Sequence, residues 1–80
     1  MSFDYSKLDG LITEKLKSRA MFAKEMNLSE RSVSLKMNGL VQWKQEEIYK
    51  ACKILSIPIK EIPLYFFIPK VQGYWTNRQK

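Results

Sequence analysis

The side chains best suited to binding chemistry lie in one short segment, residues 28–39, with the sequence LSERSVSLKMNG. Arg31 carries a guanidinium group that donates parallel hydrogen bonds, and Ser32 and Ser34 add small hydroxyl donors. Leu35 adds apolar surface. Such groups match the oxygens of a phosphate, the edge of a nucleobase or a methyl group. The segment therefore predicts a binding surface and not a catalytic centre.

Helical spacing explains how these groups reach one surface. With about 100° per residue and Val33 at zero, Met37 lies at about 40°, and Leu35 at about 200°. On the same scale Arg31 lies at about 160° and Lys36 at about 300°. The pattern predicts that Val33 and Met37 face the core. Arg31 and Leu35 then point outward, framed by serines.

Charge and composition favour a polyanionic partner for an ordinary globular domain. The chain has 80 residues, 45% apolar and 28% charged, with a net charge of +6. Residues 15–44 contain seven cations and two carboxylates, so this stretch carries +5 of that excess. A positive excess of this kind is typical of proteins that bind nucleic acid or an anionic membrane surface. The length predicts one domain.

Several classes of function have no support in these residues. The chain lacks histidine and has a single cysteine, Cys52, so no Cys–His nucleophile and no internal disulfide is expected. Its three glycines stand apart and form no phosphate loop. We expect no enzymatic activity, no catalytic residue, no metal site and no cofactor. No secretion signal or membrane span is visible, which predicts a cytoplasmic protein.

Apolar periodicity predicts an all-α fold: a compact bundle of four to five short helices with an extended aromatic C-terminal tail. Ser18 and Ser29 are predicted N-caps, and Asn27 is predicted to end a helix in the left-handed conformation. Either Ser6 or Asp4 caps the first helix. The expected helices cover about residues 6–17, 19–26, 30–37 and 44–55. A helical turn is expected near residues 59–62, with extended chain from about residue 65. The predicted domain covers residues 1–68, and the predicted tail covers residues 69–80.

The segment SRAMFAKEMNLSERSVSLKMNG resembles the helix-turn-helix of the lambda-repressor-like (Cro/C1, or XRE) family. This family resemblance implies a central helix-turn-helix within the predicted bundle. The segment KQEEIYKACKILSIP matches that family's fourth helix, and LYFFIPKVQ is similar to the ending of small Cro-like regulators from phages of Gram-positive bacteria. The chain departs from the family pattern at three positions. Arg19 replaces a common glutamine, Asn27 replaces the turn glycine, and Lys36 stands where many relatives are apolar.

The resemblance implies a sequence-specific DNA-binding transcriptional repressor that reads the operator major groove with helix 30–37 in a bacterial host cell. Base contacts are expected at the start and outer face of that helix, and phosphate contacts from the flanking cations. The implied DNA-binding residues are Arg19, Glu30, Arg31, Ser32, Ser34, Leu35, Lys36, Asn38, Lys44 and Gln45. The alternative is an antirepressor or co-repressor module that binds another phage regulator protein.

Aromatic residues crowd the C-terminal segment, where Tyr65, Phe66, Phe67, Tyr74 and Trp75 lie within 11 residues. A monomer rarely leaves so much apolar surface exposed. The side chains are predicted either to fold back over the core or to form a homodimer interface, and a membrane-surface segment is the least favoured reading. The predicted dimer residues are Tyr65, Phe66, Phe67 and Trp75. The partners expected are an operator duplex, a second copy on DNA and another phage repressor protein, with no membrane.

Overall fold

The structure, a computed structural model, describes residues 3–70 of the chain. Its helices are α1 (Ser6–Leu16), α2 (Arg19–Met26), α3 (Glu30–Met37), α4 (Gln45–Leu55) and α5 (Ile62–Phe66), with a 3-10 turn at Ile59–Glu61. Within this range there is no β-strand, only an isolated bridge between Phe3 and Pro69. The predicted all-α class is confirmed. None of these helices has the length and apolar content needed to cross a membrane.

The predicted helix ends around the central turn are confirmed. The hydroxyl of Ser18 accepts a hydrogen bond from the Met21 backbone at 3.2 Å. The hydroxyl of Ser29 accepts one from the Ser32 backbone at 3.0 Å. Asn27 adopts the left-handed conformation, with φ of 61°, and ends α2. These caps satisfy backbone groups that a helix end leaves unpaired, so α2 and α3 are short and sharply separated.

The first helix begins at Ser6 as predicted and ends one residue earlier than predicted. Of the two predicted capping residues, Asp4 supplies the cap. Its Oδ1 accepts a hydrogen bond from the Ser6 backbone N–H at 2.8 Å and another from the Ser6 hydroxyl at 2.6 Å. The helix ends at Leu16, and Lys17 follows it with φ of 80°. Similarly, α4 begins at Gln45, one residue later than predicted. Such one-residue shifts follow from end effects that periodicity does not report.

The core lies where α1 packs against α2, α4 and α5, and α3 closes it through its contact with α2. Its buried residues come from every helix, and each fully buried large side chain contributes roughly 1.5–3 kcal/mol relative to exposure. The largest of them are Phe22, Phe66, Leu8, Ile12, Leu55 and Val33. Val33 and Met37 are buried as predicted, which confirms the inward face of α3.

The C-terminal segment folds back over the core. Extended chain was predicted from about Tyr65, and α5 continues slightly beyond that point, to Phe66. Pro63 occupies the first turn of this helix, where its missing N–H costs no hydrogen bond. Beyond the helix, the backbone carbonyl of Ile68 accepts from the Asp4 N–H, so the two ends of the described chain meet. The division into a domain over 1–68 and a tail over 69–80 stays a prediction.

Candidate functional site

An apolar cavity opens between the N-terminal segment, the α3–α4 connection and the end of α5. We call it the aromatic groove. It has a volume of about 260 Å³, and none of its lining side chains carries a charge. The lining residues are Phe3, Tyr5, Gly39, Val41, Gln42, Trp43, Ile48, Phe66 and Phe67. Chain segments that are far apart in sequence therefore build one uncharged concave surface.

Trp43 is the centre of the aromatic packing beneath this groove. Its ring meets Phe66 edge-on with centroids 5.4 Å apart, and it meets Tyr5 and Phe22 at 6.2 and 6.3 Å. Edge-to-face pairs of this kind add about 0.5–1.5 kcal/mol beyond the area that they bury. Within the described range, the Trp43 Nε1 is a buried donor with no hydrogen-bond partner. The inner side of the groove is thus formed by packed aromatic rings and is almost wholly apolar.

The rim of the groove, by contrast, exposes apolar side chains to solvent. Phe67 packs edge-on against Phe3, with centroids 5.7 Å apart, yet remains 47% exposed. Val41 is 42% exposed, and its neighbour Leu40 is also exposed. Contiguous apolar surface beside a concave site is typical of a contact surface for another protein.

Two cations on α2 and α3 are bound by carboxylates of the chain itself. Arg19 donates from Nε to Asp9 Oδ1 at 2.9 Å and from Nη2 to Asp9 Oδ2 at 3.2 Å. The hydrogen bonds that Arg19 donates to Asp9 raise the pKa of Arg19 and so favour its charged form. Lys36 donates from Nζ to Glu47 Oε1 at 3.0 Å and to the Gln42 carbonyl at 3.2 Å. Both cationic groups therefore already have an anionic partner inside the molecule.

Glu47 is held in its charged form by its neighbours. Its carboxylate also accepts a hydrogen bond from the Lys44 backbone at 2.8 Å. Burial raises the pKa of Glu47, but the hydrogen bonds from the Lys44 backbone and the Lys36 ammonium outweigh that effect. The net pKa lies below the ordinary value of 4.5. The same carboxylate thus closes the first turn of α4 and neutralises Lys36.

Comparison with known proteins identifies the family. Residues 1–68 match the family model described as "Protein of unknown function (DUF739)". The chain belongs to the DUF739 family. No curated protein matches this DUF739 chain.

The DUF739 chain is also similar to a solved structure, the solution structure of the modulator of repression (MOR) of the temperate bacteriophage TP901-1 from Lactococcus lactis. The two share 53% sequence identity and superpose with a TM-score of 0.75. The match covers 90% of this chain and 97% of that one.

These findings correct two predictions. The assignment to the lambda-repressor-like (Cro/C1, XRE) family is wrong, because the family model that matches is DUF739. The reading as a DNA-binding repressor is overturned by the similarity to a modulator of repression, which favours the alternative, a protein that binds another regulator. The capped pair of short helices misled the prediction. Such a pair shows how the local chain folds, and proteins of different function share it.

Lys36 is also placed differently from its prediction. It was expected to extend from the surface towards phosphate, but it is 5% exposed. At about 60° from Val33, its stem borders the core face of α3. Its ammonium lies 5.9 Å from the ring centre of Trp43 and pairs with Glu47. A buried lysine needs such a partner, because an unpaired charge away from water is costly.

The other predicted contact residues of the DUF739 chain lie on or near the surface, and their contacts with DNA stay predictions. Leu35 is half-buried, and its carbonyl accepts from the Leu40 and Val41 backbones at 2.9 and 3.3 Å, which anchors the α3–α4 connection. Ser32 and Ser34 are half-buried, as Leu35 is. The exposed residues are Glu30, Arg31, Asn38, Lys44 and Gln45.

The predicted dimer residues do not form one exposed surface. Phe66 is 1% exposed and belongs to the core, so its assignment to a dimer interface is wrong. Tyr65 is half-buried, and Phe67 is exposed at the groove. Trp75 lies outside the described residues. The burial of Phe66 agrees with the alternative prediction, in which the aromatic segment folds back over the core.

Three important residues were missed from the sequence. Asp9 and Glu47 were not among the predicted site residues, although they neutralise Arg19 and Lys36. Trp43 was read as part of a loop. One signal was present for Glu47, which stands three residues after Lys44 as in a capping box. Nothing in the spacing brings Asp9 to Arg19 or Trp43 to Tyr5, because these pairs form only when α1 packs on its neighbours.

Proposed function

We propose that this chain is a bacteriophage regulatory protein that binds a phage repressor and changes how that repressor acts on its operators. The single observation that carries the proposal is the 53% identity, over 90% of the chain, to the modulator of repression of phage TP901-1. Identity at this level over nearly the whole length supports a shared role. It acts by binding and not by catalysis, within the bacterial cytoplasm where its partner works.

We propose the aromatic groove as the surface that binds the repressor. A repressor that binds DNA carries positive charge on the surface that contacts phosphate. This chain is itself positive, with a net charge of +6, so two charged faces would repel each other. The groove avoids that repulsion because its lining is uncharged. The occupant that fits it is an apolar side chain, or a small cluster of them, on the repressor surface.

The rim residues supply the part of the contact that becomes buried on binding. Val41 and Phe67 are partly exposed and lie beside aromatic rings that are already buried and packed against one another. Surface arranged in this way loses little conformational entropy when a partner covers it. Burial of such apolar area contributes about 25 cal/mol per Å² before the costs of association.

The direct test mixes the purified chain with the repressor protein encoded by the same phage. Calorimetry should detect a complex between the two proteins. A gel-shift assay with the operator should show that adding the chain changes the amount of repressor–operator complex. The proposal would be overturned if the chain bound operator DNA in the absence of the repressor and formed no complex with the repressor protein.

A pair of matched variants tests the groove itself. Val41 and Leu64 are 42% and 44% exposed, but only Val41 lines the groove. Val41→Asp should weaken repressor binding by about tenfold or more, because a carboxylate would be buried without a partner. Leu64→Asp should bind as the wild type does. Thermal melts of both variants establish that each is folded. Equal binding by the two variants would place the repressor elsewhere on the surface.

A further inference from the structure

A second, polar cavity lies beside the first residue of α2. It has a volume of about 240 Å³, and its lining includes two cations, Arg19 and Lys70, and the amide of Asn38. These are the donor groups that bind phosphate in proteins, and the start of a helix adds a favourable dipole. The same cavity is also lined by the carboxylates of Asp4 and Asp9. Two carboxylates of the chain therefore lie among hydrogen-bond donors that are suited to bind a phosphate from another molecule.

The geometry of Asp9 is that of a bound oxyanion. Its two oxygens receive parallel hydrogen bonds from Nε and Nη2 of Arg19, at 2.9 and 3.2 Å. Arginine uses the same planar arrangement to bind a phosphate group. Asp4 instead accepts hydrogen bonds from Ser6, which lower its pKa, and the charge of Lys70 adds a smaller effect in the same direction. Two positive and two negative groups therefore balance within this cavity.

We propose that Asp9 is a specificity-determining residue that occupies the phosphate-binding group of Arg19 and so prevents this helical fold from binding nucleic acid. The Asp9 carboxylate accepts the hydrogen bonds that the Arg19 guanidinium would otherwise donate to a phosphate. Its negative charge also repels a backbone phosphate that approaches the start of α2. The inference is independent of the proposed repressor partner, because it concerns a ligand that the surface excludes. A regulator that must bind a protein near an operator benefits from such exclusion.

The test measures binding of the purified full chain to a short, mixed-sequence DNA duplex by fluorescence anisotropy at several salt concentrations. Asp9→Asn should bind about fivefold more tightly than wild type, the factor that corresponds to loss of a half-exposed ion pair. The slope of log affinity against log salt should steepen by about 0.9, as expected for one additional phosphate contact.

Glu14→Gln is the matched control, since it changes the net charge equally. Glu14 is exposed on the same helix, five residues beyond Asp9 and therefore about 140° around the axis. This variant should retain the wild-type affinity and salt slope. The double variant Asp9→Asn/Arg19→Gln should also return to the wild-type values, because the gain depends on the freed guanidinium.

Two results would overturn the proposal. One is an Asp9→Asn variant that binds no more tightly than Glu14→Gln. The other is a double variant that keeps the gain, which would assign it to general charge and not to Arg19. The Asp9–Arg19 pair is half-exposed, with side chains 38% and 37% accessible, so the fold should survive the change. Circular dichroism checks this, and Asp9→Ala repeats the measurement should the asparagine variant lose helix.

Discussion

Lys36 Nζ lies 3.0 Å from Glu47 Oε1, in an ion pair that joins α3 to α4 with side chains only 6% and 15% exposed. The pair lies next to Trp43, whose ring centre is 5.9 Å from the ammonium. It thus connects α3 to the aromatic packing beneath the aromatic groove. Removing one charge from such a pair leaves the other buried without a partner.

Glu47→Gln should therefore destabilise the protein by about 3 kcal/mol, even though the amide oxygen can still cap α4. The double variant Lys36→Met/Glu47→Gln should recover to within about 1 kcal/mol of wild type, because no buried charge remains. Urea unfolding monitored by circular dichroism measures both. Additive losses in the double variant would mean that the two side chains are not coupled.

Acid should weaken the fold through the same carboxylate. The Glu47 pKa lies below its ordinary value of 4.5 in the folded chain, so folding favours the charged form. Its contribution is fully present above the unfolded pKa and is lost as the pH falls through the lowered folded pKa. Urea midpoints measured from about pH 6 to about pH 3 should fall more for wild type than for Glu47→Gln. Parallel curves would assign acid sensitivity to other groups.

Two adjacent phenylalanines should respond very differently to truncation. Phe66→Ala removes a ring that is 1% exposed and should cost roughly 3–5 kcal/mol. Phe67→Ala removes a ring that is 47% exposed and packs edge-on with Phe3, so about 1 kcal/mol is expected. Thermal melts of the two variants make the comparison. Similar melting temperatures would contradict the placement of Phe66 in the core.

The hydroxyl of Ser29 should contribute measurably to stability, because it caps α3 at 3.0 Å from the Ser32 N–H. Ser29→Ala should cost about 1 kcal/mol. Ser34→Ala makes the same chemical change within the helix and should be neutral or slightly stabilising, since alanine has the higher helix propensity. Denaturant midpoints measure both. Equal denaturant midpoints for the two variants would contradict the stabilising role of the Ser29 cap.

Local features of the fold were predictable from the sequence. The spacing of Val33 and Met37 identified the buried face of α3, and Ser18, Asn27 and Ser29 identified the ends of α2 and α3. These features depend on neighbours within one or two turns, so the sequence contains the information that decides them. The function inferred from them was wrong, because a capped pair of short helices is compatible with partners of different kinds.

Tertiary structure alone decided which cations are free and which aromatic rings are exposed. Lys36 reads as a surface cation until α4 brings Glu47 to it, and Arg19 reads as a phosphate ligand until α1 brings Asp9. Phe66 and Phe67 are chemically identical neighbours, and only the return of the chain over the core buries the first. Charge neutralisation and burial act over a few ångströms in space between residues far apart in the chain, and no periodicity along the sequence encodes those distances.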